Sequence, residues 1–274
     1  MKYSRSNGEI CMSEKIQNYW EERAKENYNK NTATTDDIHL RDLEIYTLIE
    51  TIHHIKSENI NKILDIGCGD GRSTLDIATQ FPDCHFTGID FSETMVKIAN
   101  KNLELKNKLK DQVNFIFGDV TKLNEVIDDK EFDIIISDRC LINLDSSAIQ
   151  YKAISDISNH LSLTGYFIAI ENFIEGHNTM NDARKVMGLP EIPIRWHNKY
   201  FNEEDVFSNS KKYFKQTVVK DFSSSYYFAT RIIYSKMCQM RGEIPDYNHE
   251  IHQLATKLPW TGKFSPIKLL IMKK

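Results

Sequence analysis

The stretch Ile63-Leu64-Asp65-Ile66-Gly67-Cys68-Gly69-Asp70-Gly71-Arg72 decides the fold of this 274-residue chain. Its first four residues predict a buried β-strand, and glycine then occupies every second position of the loop that follows. Because glycine has no Cβ, such a loop lets a ligand approach the bare backbone. Ser73–Gln80 then has the apolar spacing of a helix. Strand, glycine loop and helix together predict a nucleotide-type site at the start of a doubly wound α/β sheet.

The loop differs from the dinucleotide fingerprint G-x-G-x-x-G, which needs a third glycine where this chain has Arg72. What stands here is Asp-x-Gly-x-Gly-x-Gly, with an acid near the end of the strand. This pattern resembles motif I of the class I S-adenosylmethionine (SAM) methyltransferases. SAM has no pyrophosphate, and its methionine part carries an ammonium and a carboxylate, so an acid beside an open backbone suits it. The resemblance implies SAM as the cofactor, and an NAD(P)-dependent oxidoreductase is the alternative.

Two later segments carry the same resemblance. His85–Asp90 predicts a second strand that ends in an acid about 20 residues after the loop, where a ribose diol would be held. The residues after that acid include Phe91 and Met95, and in the family these positions line the adenine pocket. Val113–Phe117 predicts a third strand that runs into Gly118-Asp119-Val120, which resembles the segment whose acid contacts the adenine amino group.

Two further strands complete the set. Phe132–Ser137 ends at Asp138-Arg139-Cys140, and Gly165–Glu171 follows a predicted helix-to-strand turn at Leu163-Thr164-Gly165. Five strand-like runs in this order match the family over roughly residues 60–175. The resemblance implies an α/β fold, a doubly wound, seven-stranded Rossmann-like methyltransferase sheet with N-terminal helices and a helical lid inserted late in the chain.

Four parts are predicted along the chain. Residues 1–57 contain a polar tail to about residue 12 and two helices, Glu14–Asn27 and Asp37–Ile55, that cover the cofactor site. Residues 58–175 form the SAM-binding core. Residues 176–262 form a helical lid for substrate recognition, and residues 263–274 contain the last strand of the core sheet. The elements predicted in these last two parts are helices at Met180–Met187 and from Asn202 to Phe214, strand six at Gln216–Phe222, an inserted helix at Tyr226–Met240, and strand seven at Pro266–Met272, antiparallel to strand six.

Composition limits the classes of partner. A net charge of −4 argues against a partner held mainly through nucleic-acid phosphates. The five cysteines are scattered and odd in number, as expected of reduced thiols in a cytoplasmic protein. No apolar run resembles a secretion signal or reaches the length of a membrane span. We therefore expect a cytoplasmic protein with no nucleic-acid partner and no membrane span, and the pattern indicates no particular oligomeric state.

The resemblance implies a set of residues that hold SAM. In the lead-in helix of many small-molecule methyltransferases an aromatic residue or arginine closes over the cofactor and meets its carboxylate, a role that falls here on Tyr19, Arg23 and Tyr28. The other residues in the predicted cofactor site are Asp65, Gly67, Cys68, Gly69, Asp90, Phe91, Met95, Gly118, Asp119, Val120, Asp138 and Arg139.

The chemistry of methyl transfer predicts where a base is needed. Transfer from a sulfonium is an in-line displacement, and a hydroxyl acceptor needs a general base. The candidates are His177, predicted in a loop at the lid entrance, His197 in the aromatic cluster Arg195–Tyr200, and Asp138. Glu171 is equally compatible with a base, a substrate contact or a cap of the next segment. The predicted substrate-binding residues are Arg139, Glu171, Arg195, Trp196, Tyr200 and Tyr227.

Taken with these residues, the resemblance implies a metal-free, SAM-dependent methyltransferase that transfers a methyl group to a hydroxyl of a small molecule or saccharide, with a histidine base. The histidines lack acid or thiol partners at metal-ligand spacing. The sequence is also compatible with N-methylation of a small amine and with a SAM-binding protein that has no catalytic activity.

Overall fold

The computed structural model describes residues 11–28, 33–55, 60–128 and 131–274. Within these ranges a seven-stranded sheet has the order β3-β2-β1-β4-β5-β7-β6. Neighbouring strands are parallel except for β7, which runs antiparallel to both β5 and β6. The strands are β1 Lys62–Ile66, β2 His85–Asp90, β3 Val113–Phe117, β4 Phe132–Asp138, β5 Leu161–Asn172, β6 Gln216–Lys220 and β7 Ile267–Lys273. The predicted doubly wound, seven-stranded sheet is confirmed.

Helices cover both faces of the sheet. They are α1 Met12–Glu26, α2 Ile38–Ile55, α3 Arg72–Gln80, α4 Glu93–Leu105, α5 Leu123–Val126, α6 Ser147–His160, α7 Ile174–Val186, α8 Glu203–Ser210, α9 Ser224–Tyr227, α10 Ser235–Arg241 and α11 Glu250–Ala255. The side chains of a strand alternate between its two faces, so Ile63 joins the apolar cluster that contains α2 and α3, whereas Leu64 joins the cluster that contains α6. Burial on both faces explains the continuous apolar runs of the central strands.

The fifth strand begins earlier than predicted. Leu163-Thr164-Gly165, predicted as a turn, lies inside β5, which starts at Leu161 directly after α6 ends. The pairing with β4 steps from Phe132–Leu161 to Ile134–Tyr166, so the intervening residues form an irregular extended segment. The prediction of a turn at this glycine was wrong because the backbone bulges there and remains extended.

The helix after β5 also differs from the prediction. It spans Ile174–Val186, so His177 lies in the helix α7 and the loop predicted for this histidine was wrong. The sequence contains Gly176 in the first turn, which predicts a loop. A Cβ at Gly176 would lie 1.7 Å from the carbonyl oxygen of Ser265, so this glycine permits close contact between α7 and the segment before β7.

The chain between β6 and β7 forms the predicted inserted helix and a further short one. It is helical from Ser224 to Arg241, with a π-helical stretch at Phe228–Tyr234, and ends at Gly242 with a φ of 70°. α11 follows, and it contacts both α2 and α9. Strand six is two residues shorter than predicted, and α8 ends at Ser210, before Phe214.

The predicted N-terminal tail before residue 11 and the predicted boundary at residues 57–58 lie outside the described residues. No described helix is both long and apolar enough to cross a lipid bilayer.

Candidate active site

A cavity of about 370 Å³ lies at the carboxyl ends of the parallel strands. Chain order along the sheet reverses between β1 and β4, and ligands of open α/β sheets bind in the crevice at that point. The loops after β1, β2 and β4 form the floor of the cavity, and Trp20, Thr34–Arg41, α7, the segment 192–200 and the inserted helices form its walls and roof.

The glycine loop is shaped by close packing and left-handed backbone. Gly67, Gly69 and Gly71 have φ values of 71°, 54° and 75°. A Cβ at Gly67 would lie 2.5 Å from the Sγ atom of Cys140, and one at Gly69 would lie 2.9 Å from Thr34. The first two glycines therefore keep the backbone accessible to the cavity and in contact with the segments that cover it.

Asp90 connects the second strand to this loop. Its Oδ2 atom accepts a hydrogen bond from the backbone N–H of Gly69 at 2.9 Å, and its Oδ1 atom accepts one from the N–H of Ser92 at 2.9 Å. Each carboxylate oxygen has a second lone pair, so the side chain can still accept hydrogen bonds from ligand hydroxyls. Burial raises the pKa of this carboxyl to about 6.

Three carboxyls converge at the ends of the adjacent strands β2, β1 and β4. Burial, together with the charges of Asp138 and Asp90, raises the pKa of Asp65 to about 7. Burial also raises the pKa of Asp138. Like charges in a poorly solvated site repel one another, so a cationic ligand bound among these carboxyls would be stabilised. SAM carries a sulfonium and an ammonium, and this donor set fits both.

Four buried polar atoms on cavity-lining residues lack a hydrogen-bond partner within the described parts of the chain. They are Asp138 Oδ1, Arg139 Nε, Asn172 Oδ1 and His197 Nδ1, and the first two lie 3.8 Å apart as an ion pair. Arg139 has a φ of 56°, and a left-handed backbone is uncommon outside glycine. Buried polar groups are ordinarily hydrogen-bonded, so these atoms mark the surface where a ligand is expected to bind.

The two candidate histidines line the same cavity in different surroundings. The His177 Nε2 atom lies 3.1 Å from the side-chain amide nitrogen of Asn181, and burial lowers the pKa of His177. The His197 ring stacks on Tyr19 with centroids 4.5 Å apart and meets the Trp20 and Trp196 rings in T-shaped arrangements. Burial and the charge of Arg195 lower the pKa of His197 to about 4, so this ring is neutral at pH 7.

The structure brings most of the predicted site residues to this cavity. Those that line it are Asp65, Gly67, Cys68, Gly69, Asp90, Phe91, Met95, Asp138, Arg139, His177, Arg195, His197, Tyr200 and Tyr227. Those that do not are Tyr19, Arg23, Tyr28, Gly118, Asp119, Val120, Glu171 and Trp196. Among these, Tyr19 and Trp196 pack around His197, so they adjoin the cavity through another side chain.

The other predicted residues outside the cavity make local contacts. Arg23 donates hydrogen bonds to the Ala33 carbonyl oxygen and to Asp36, and Lys101 lies over the exposed Tyr28 ring. The Asp119 carboxylate caps the short 3₁₀ turn that follows β3, accepting from the backbone N–H and hydroxyl of Thr121.

Glu171 is a buried anchor for the turn after β4. Its carboxylate accepts hydrogen bonds from the Ser137 hydroxyl at 2.7 Å and from the backbone N–H groups of Leu141 and Ile142 at 2.9 and 3.2 Å. Burial raises its pKa to about 7. Of the three roles compatible with the sequence, these contacts match that of a cap. The segment that Glu171 caps is the turn after β4, whereas the sequence predicted the segment that follows Glu171.

Several cavity residues were not predicted from the sequence, among them Arg41, Asn143 and Tyr247. Arg41 pairs with Asp70 through two hydrogen bonds of 3.1 and 2.5 Å, and both side chains are buried. One signal could have revealed it: Arg41 and Glu44 interrupt the apolar face of α2 three residues apart. Asn143 ends a short 3₁₀ helix after β4 and Tyr247 lies in a loop, and neither has such a local signal.

Comparison with known proteins gives a match to a family model. Residues 57–219 match the family model described as "Methyltransferase domain". The malonyl-[acyl-carrier protein] O-methyltransferase of Bacillus anthracis is 29% identical over 145 residues, which are 51% of this chain and 50% of that protein. Phosphoethanolamine N-methyltransferase 1 of Triticum aestivum is 25% identical over 80% of this chain and 42% of its own length. The chain thus spans about half the length of the curated relatives it matches, or less.

Solved structures share the fold. The magnesium protoporphyrin IX methyltransferase of Synechocystis, crystallised with bound SAH, aligns with a TM-score of 0.59 at 14% identity, over 94% of this chain and 98% of that one. The plantazolicin methyltransferase BpumL, in complex with a pentazolic desmethylPZN analog and SAH, aligns with a TM-score of 0.59 at 15% identity, over 96% of this chain and 95% of that one.

Proposed function

This chain belongs to the methyltransferase domain family, whose methyl donor is SAM, and from that premise we propose that it methylates a hydroxyl of a small molecule or saccharide. The observation that carries the proposal is the division of one cavity into two parts. Its floor holds the glycine loop and three converging carboxyls, and its far wall holds His177 and His197. A cofactor site and a candidate base therefore share one cavity.

The floor residues would hold the cofactor. Asp90 would accept hydrogen bonds from the ribose hydroxyls, and Asp65 and Asp138 would offset the positive charges of the ligand. Phe91 and Met95 would contact the adenine ring. When bound, SAM supplies an electrophilic methyl carbon.

His197 is the residue that we propose as the general base. Its ring is neutral at pH 7, and its buried Nδ1 atom has no hydrogen-bond partner within the described chain. The stack on Tyr19 holds the ring plane. Such a nitrogen can accept a proton from an acceptor hydroxyl. His177 is the second candidate, because its Nε2 atom is already within hydrogen-bonding distance of Asn181, and Asp138 is the third.

The size of the cavity favours a small acceptor. The walls come from the N-terminal segment, α7, the segment 192–200 and the inserted helices, which together leave about 370 Å³. The relatives are named for acceptors as different as malonyl-[acyl-carrier protein] and phosphoethanolamine, and these names cover both O- and N-methylation. N-methylation of a small amine is therefore the outcome that the test must separate from O-methylation.

The strand order argues against the oxidoreductase alternative. The dinucleotide-binding fold has the order 3-2-1-4-5-6 in a mostly parallel sheet. Here β7 lies between β5 and β6 and runs antiparallel to both.

The test combines binding with turnover. Calorimetry should show binding of SAM, whereas NADH should give no binding heat. Methylation of a panel of small alcohols, phenols, sugars and amines should then be measured for the wild-type protein and for His197→Ala, His177→Ala and His54→Ala. His54 is exposed on α2, away from the cavity lining, and serves as the matched control.

We expect His197→Ala to lower kcat for a hydroxyl acceptor by roughly 10²- to 10⁴-fold, the usual contribution of a general base, and His54→Ala to change it less than about twofold. Amine methylation that persists when both His177 and His197 are replaced would favour the N-methyltransferase alternative. Binding of SAM without turnover of any acceptor would favour the third alternative, a SAM-binding protein that has no catalytic activity.

A further inference from the structure

Among the described residues, four arginines line the cavity, and they differ in how their charge is balanced. Arg41 pairs with Asp70, Arg139 with Glu44 at 3.1 Å, and Arg231 with Asp37. Within the described residues no carboxylate lies within ion-pair distance of the fourth, Arg195. Arg195 is an exposed residue of the cavity lining, and no carboxylate of the described chain balances its charge.

Arg195 is presented by an anchored turn. The backbone N–H of Asn198 donates to the Arg195 carbonyl oxygen at 2.9 Å, and the N–H of Lys199 donates to the Ile142 carbonyl oxygen at 2.7 Å. The side-chain amide of Gln150 donates to the Lys199 carbonyl oxygen at 2.8 Å. These bonds tie the turn to the segment after β4.

The same turn brings Arg195 close to the proposed base. Arg195, His197 and Asn198 all line the cavity. Burial and, next, the positive charge of Arg195 lower the pKa of His197. Burial raises the pKa of Tyr200, and the charge of Arg195 offsets part of that rise. Both effects are expected of a cation close to the two side chains. The turn thus offers a guanidinium, a neutral imidazole and an amide side by side.

Charge is divided between the two parts of the cavity. Asp65, Asp90 and Asp138 lie on the floor, at or next to the ends of their strands. Asp138 lies 3.8 Å from Arg139, whereas Asp65 and Asp90 form no ion pair within the described chain. The remaining described carboxylates of the lining are matched by cations, since Asp36 pairs with Arg23 at 3.2 Å and Asp37 pairs with Arg231. The floor is therefore suited to a cationic ligand, and the wall that carries His197 is suited to an anionic one.

We propose that the methyl acceptor carries an anionic group, a carboxylate or a phosphate, that Arg195 binds beside the hydroxyl that His197 deprotonates. This inference rests on the proposed function. A guanidinium cannot lose its proton at physiological pH, so it provides a permanent charge and a forked set of donors for such a group. Its charge also favours ionisation of a neighbouring hydroxyl.

The experiment compares acceptors that differ in charge. One pair is 4-hydroxybenzoate and 4-hydroxybenzamide, and the other is glycerol 3-phosphate and glycerol. The ratio of kcat/KM for the anionic member to that for the neutral member should be measured for the wild type, Arg195→Gln, Arg195→Lys and Lys199→Gln. Lys199 is an exposed neighbouring cation outside the cavity lining and serves as the matched control.

We expect the wild type to favour the anionic member of at least one pair by about 10- to 100-fold, mainly through KM, as for one charge-assisted hydrogen-bonded pair. Arg195→Gln should reduce that ratio to near one, Arg195→Lys should restore part of it, and Lys199→Gln should preserve it. The pair that shows the preference identifies the group as carboxylate or phosphate. Equal use of both members by the wild type, or a ratio that survives Arg195→Gln, would overturn the inference.

A binding measurement separates this inference from the proposed function. Calorimetry of the same four compounds on the complex with S-adenosylhomocysteine needs no turnover. If an anionic compound binds more tightly than its neutral partner and Arg195→Gln abolishes this preference, the anion site is supported. If, in addition, no compound is methylated, only the proposed function fails. Methylation of the neutral compounds alone overturns the anion site and leaves the proposed function standing.

Discussion

At the scale of single residues, the floor of the cavity is set by carboxyls that the fold holds in an unfavourable environment. Asp65, Asp90 and Asp138 lie at or next to the ends of adjacent strands, and burial raises the pKa of each. The hydroxyl of Thr74 donates to Asp65 at 2.5 Å and offsets part of this effect. The energy stored in this way is available to a cationic ligand, because that ligand favours the ionised form of all three carboxyls.

A pH dependence of both stability and affinity follows. The pKa of Asp65 is about 7 in the folded protein and near 3.8 when unfolded, so the folded state binds more protons between these values. The contribution of Asp65 to stability is therefore fully present below about pH 4 and is lost as the pH rises through 7. SAM affinity should change in the opposite direction and strengthen from pH 5 to pH 8.

The measurement is a melting curve at pH 5 and pH 8 for the wild type and Asp65→Asn, with and without SAM. Without ligand, the variant should melt a few degrees above the wild type at pH 8, and the difference should shrink at pH 5. SAM should stabilise the wild type more than the variant at pH 8. A melting difference that is independent of pH would contradict the role given to Asp65. Asp83→Asn, on an exposed loop, is the control.

At the scale of elements, the connections after β1 and β4 depend on each other. The glycine loop after β1 packs against Cys140, which follows β4, and Glu171 at the end of β5 holds the turn that contains Leu141 and Ile142. The turn after β4 also contacts α1, because Asn143 accepts a hydrogen bond from the indole N–H of Trp20 at 3.1 Å. A change in one loop is therefore transmitted to the others.

Two glycines provide a matched test of this packing. Gly67 and Gly242 have nearly equal φ values of 71° and 70°, but a Cβ at Gly67 would meet Cys140 at 2.5 Å, whereas a Cβ at Gly242 would meet no described atom within 4 Å. Both alanine variants incur the left-handed backbone penalty of about 1–2 kcal/mol, and overpacking adds about 1–3 kcal/mol for Gly67→Ala alone.

Urea unfolding should resolve that difference, and calorimetry should show that Gly67→Ala loses SAM binding while Gly242→Ala retains it. Equal unfolding free energies for the two variants would show that the β1 loop can move away from Cys140, contrary to the tight contact described.

At the scale of the whole molecule, the roof of the cavity joins distant parts of the chain. Asp37 accepts hydrogen bonds from the Leu40 backbone N–H, from the Tyr226 hydroxyl and from Arg231, which lies 194 residues further along the chain. Tyr226 also contacts His252 of α11. This Asp37 cluster links the start of α2 to the insertion between β6 and β7.

Breaking the cluster should loosen the roof. Because removal of one partner leaves a buried charge uncompensated, we expect Asp37→Asn and Arg231→Met each to destabilise the protein by about 3–5 kcal/mol, with a coupling in the double variant of about 0.5–3 kcal/mol. Hydrogen exchange should accelerate in residues 224–255, and KM for the acceptor should rise more than KM for SAM.

Asp42→Asn is the control. It breaks the partly exposed Arg72–Asp42 pair and should lower the free energy of unfolding by less than about 1 kcal/mol. Independent, additive effects in the double variant would refute the linkage.

Local sequence determined the strands and the glycine loop. Strand bounds at His85–Asp90 and Val113–Phe117 agree with the structure, because apolar runs and turn residues act over a few neighbouring positions. The place of Asp90 in the cavity was predictable because the carboxyl ends of the parallel strands meet at the same edge of the sheet. Asp119, which follows the next strand, caps a local turn instead.

Tertiary structure alone decided which polar side chains line the cavity and which form hydrogen bonds or ion pairs with other parts of the protein. Nothing near Glu171 in the sequence shows that its carboxylate accepts hydrogen bonds from the turn after β4. Likewise, the residues around the cavity arginines do not show that Arg41 and Arg231 have ion-pair partners whereas Arg195 has none within the described chain. The balancing groups lie 30, 29 and 194 residues away from Glu171, Arg41 and Arg231. Hydrogen bonds and ion pairs are satisfied by proximity in space, and only the folded chain sets that proximity.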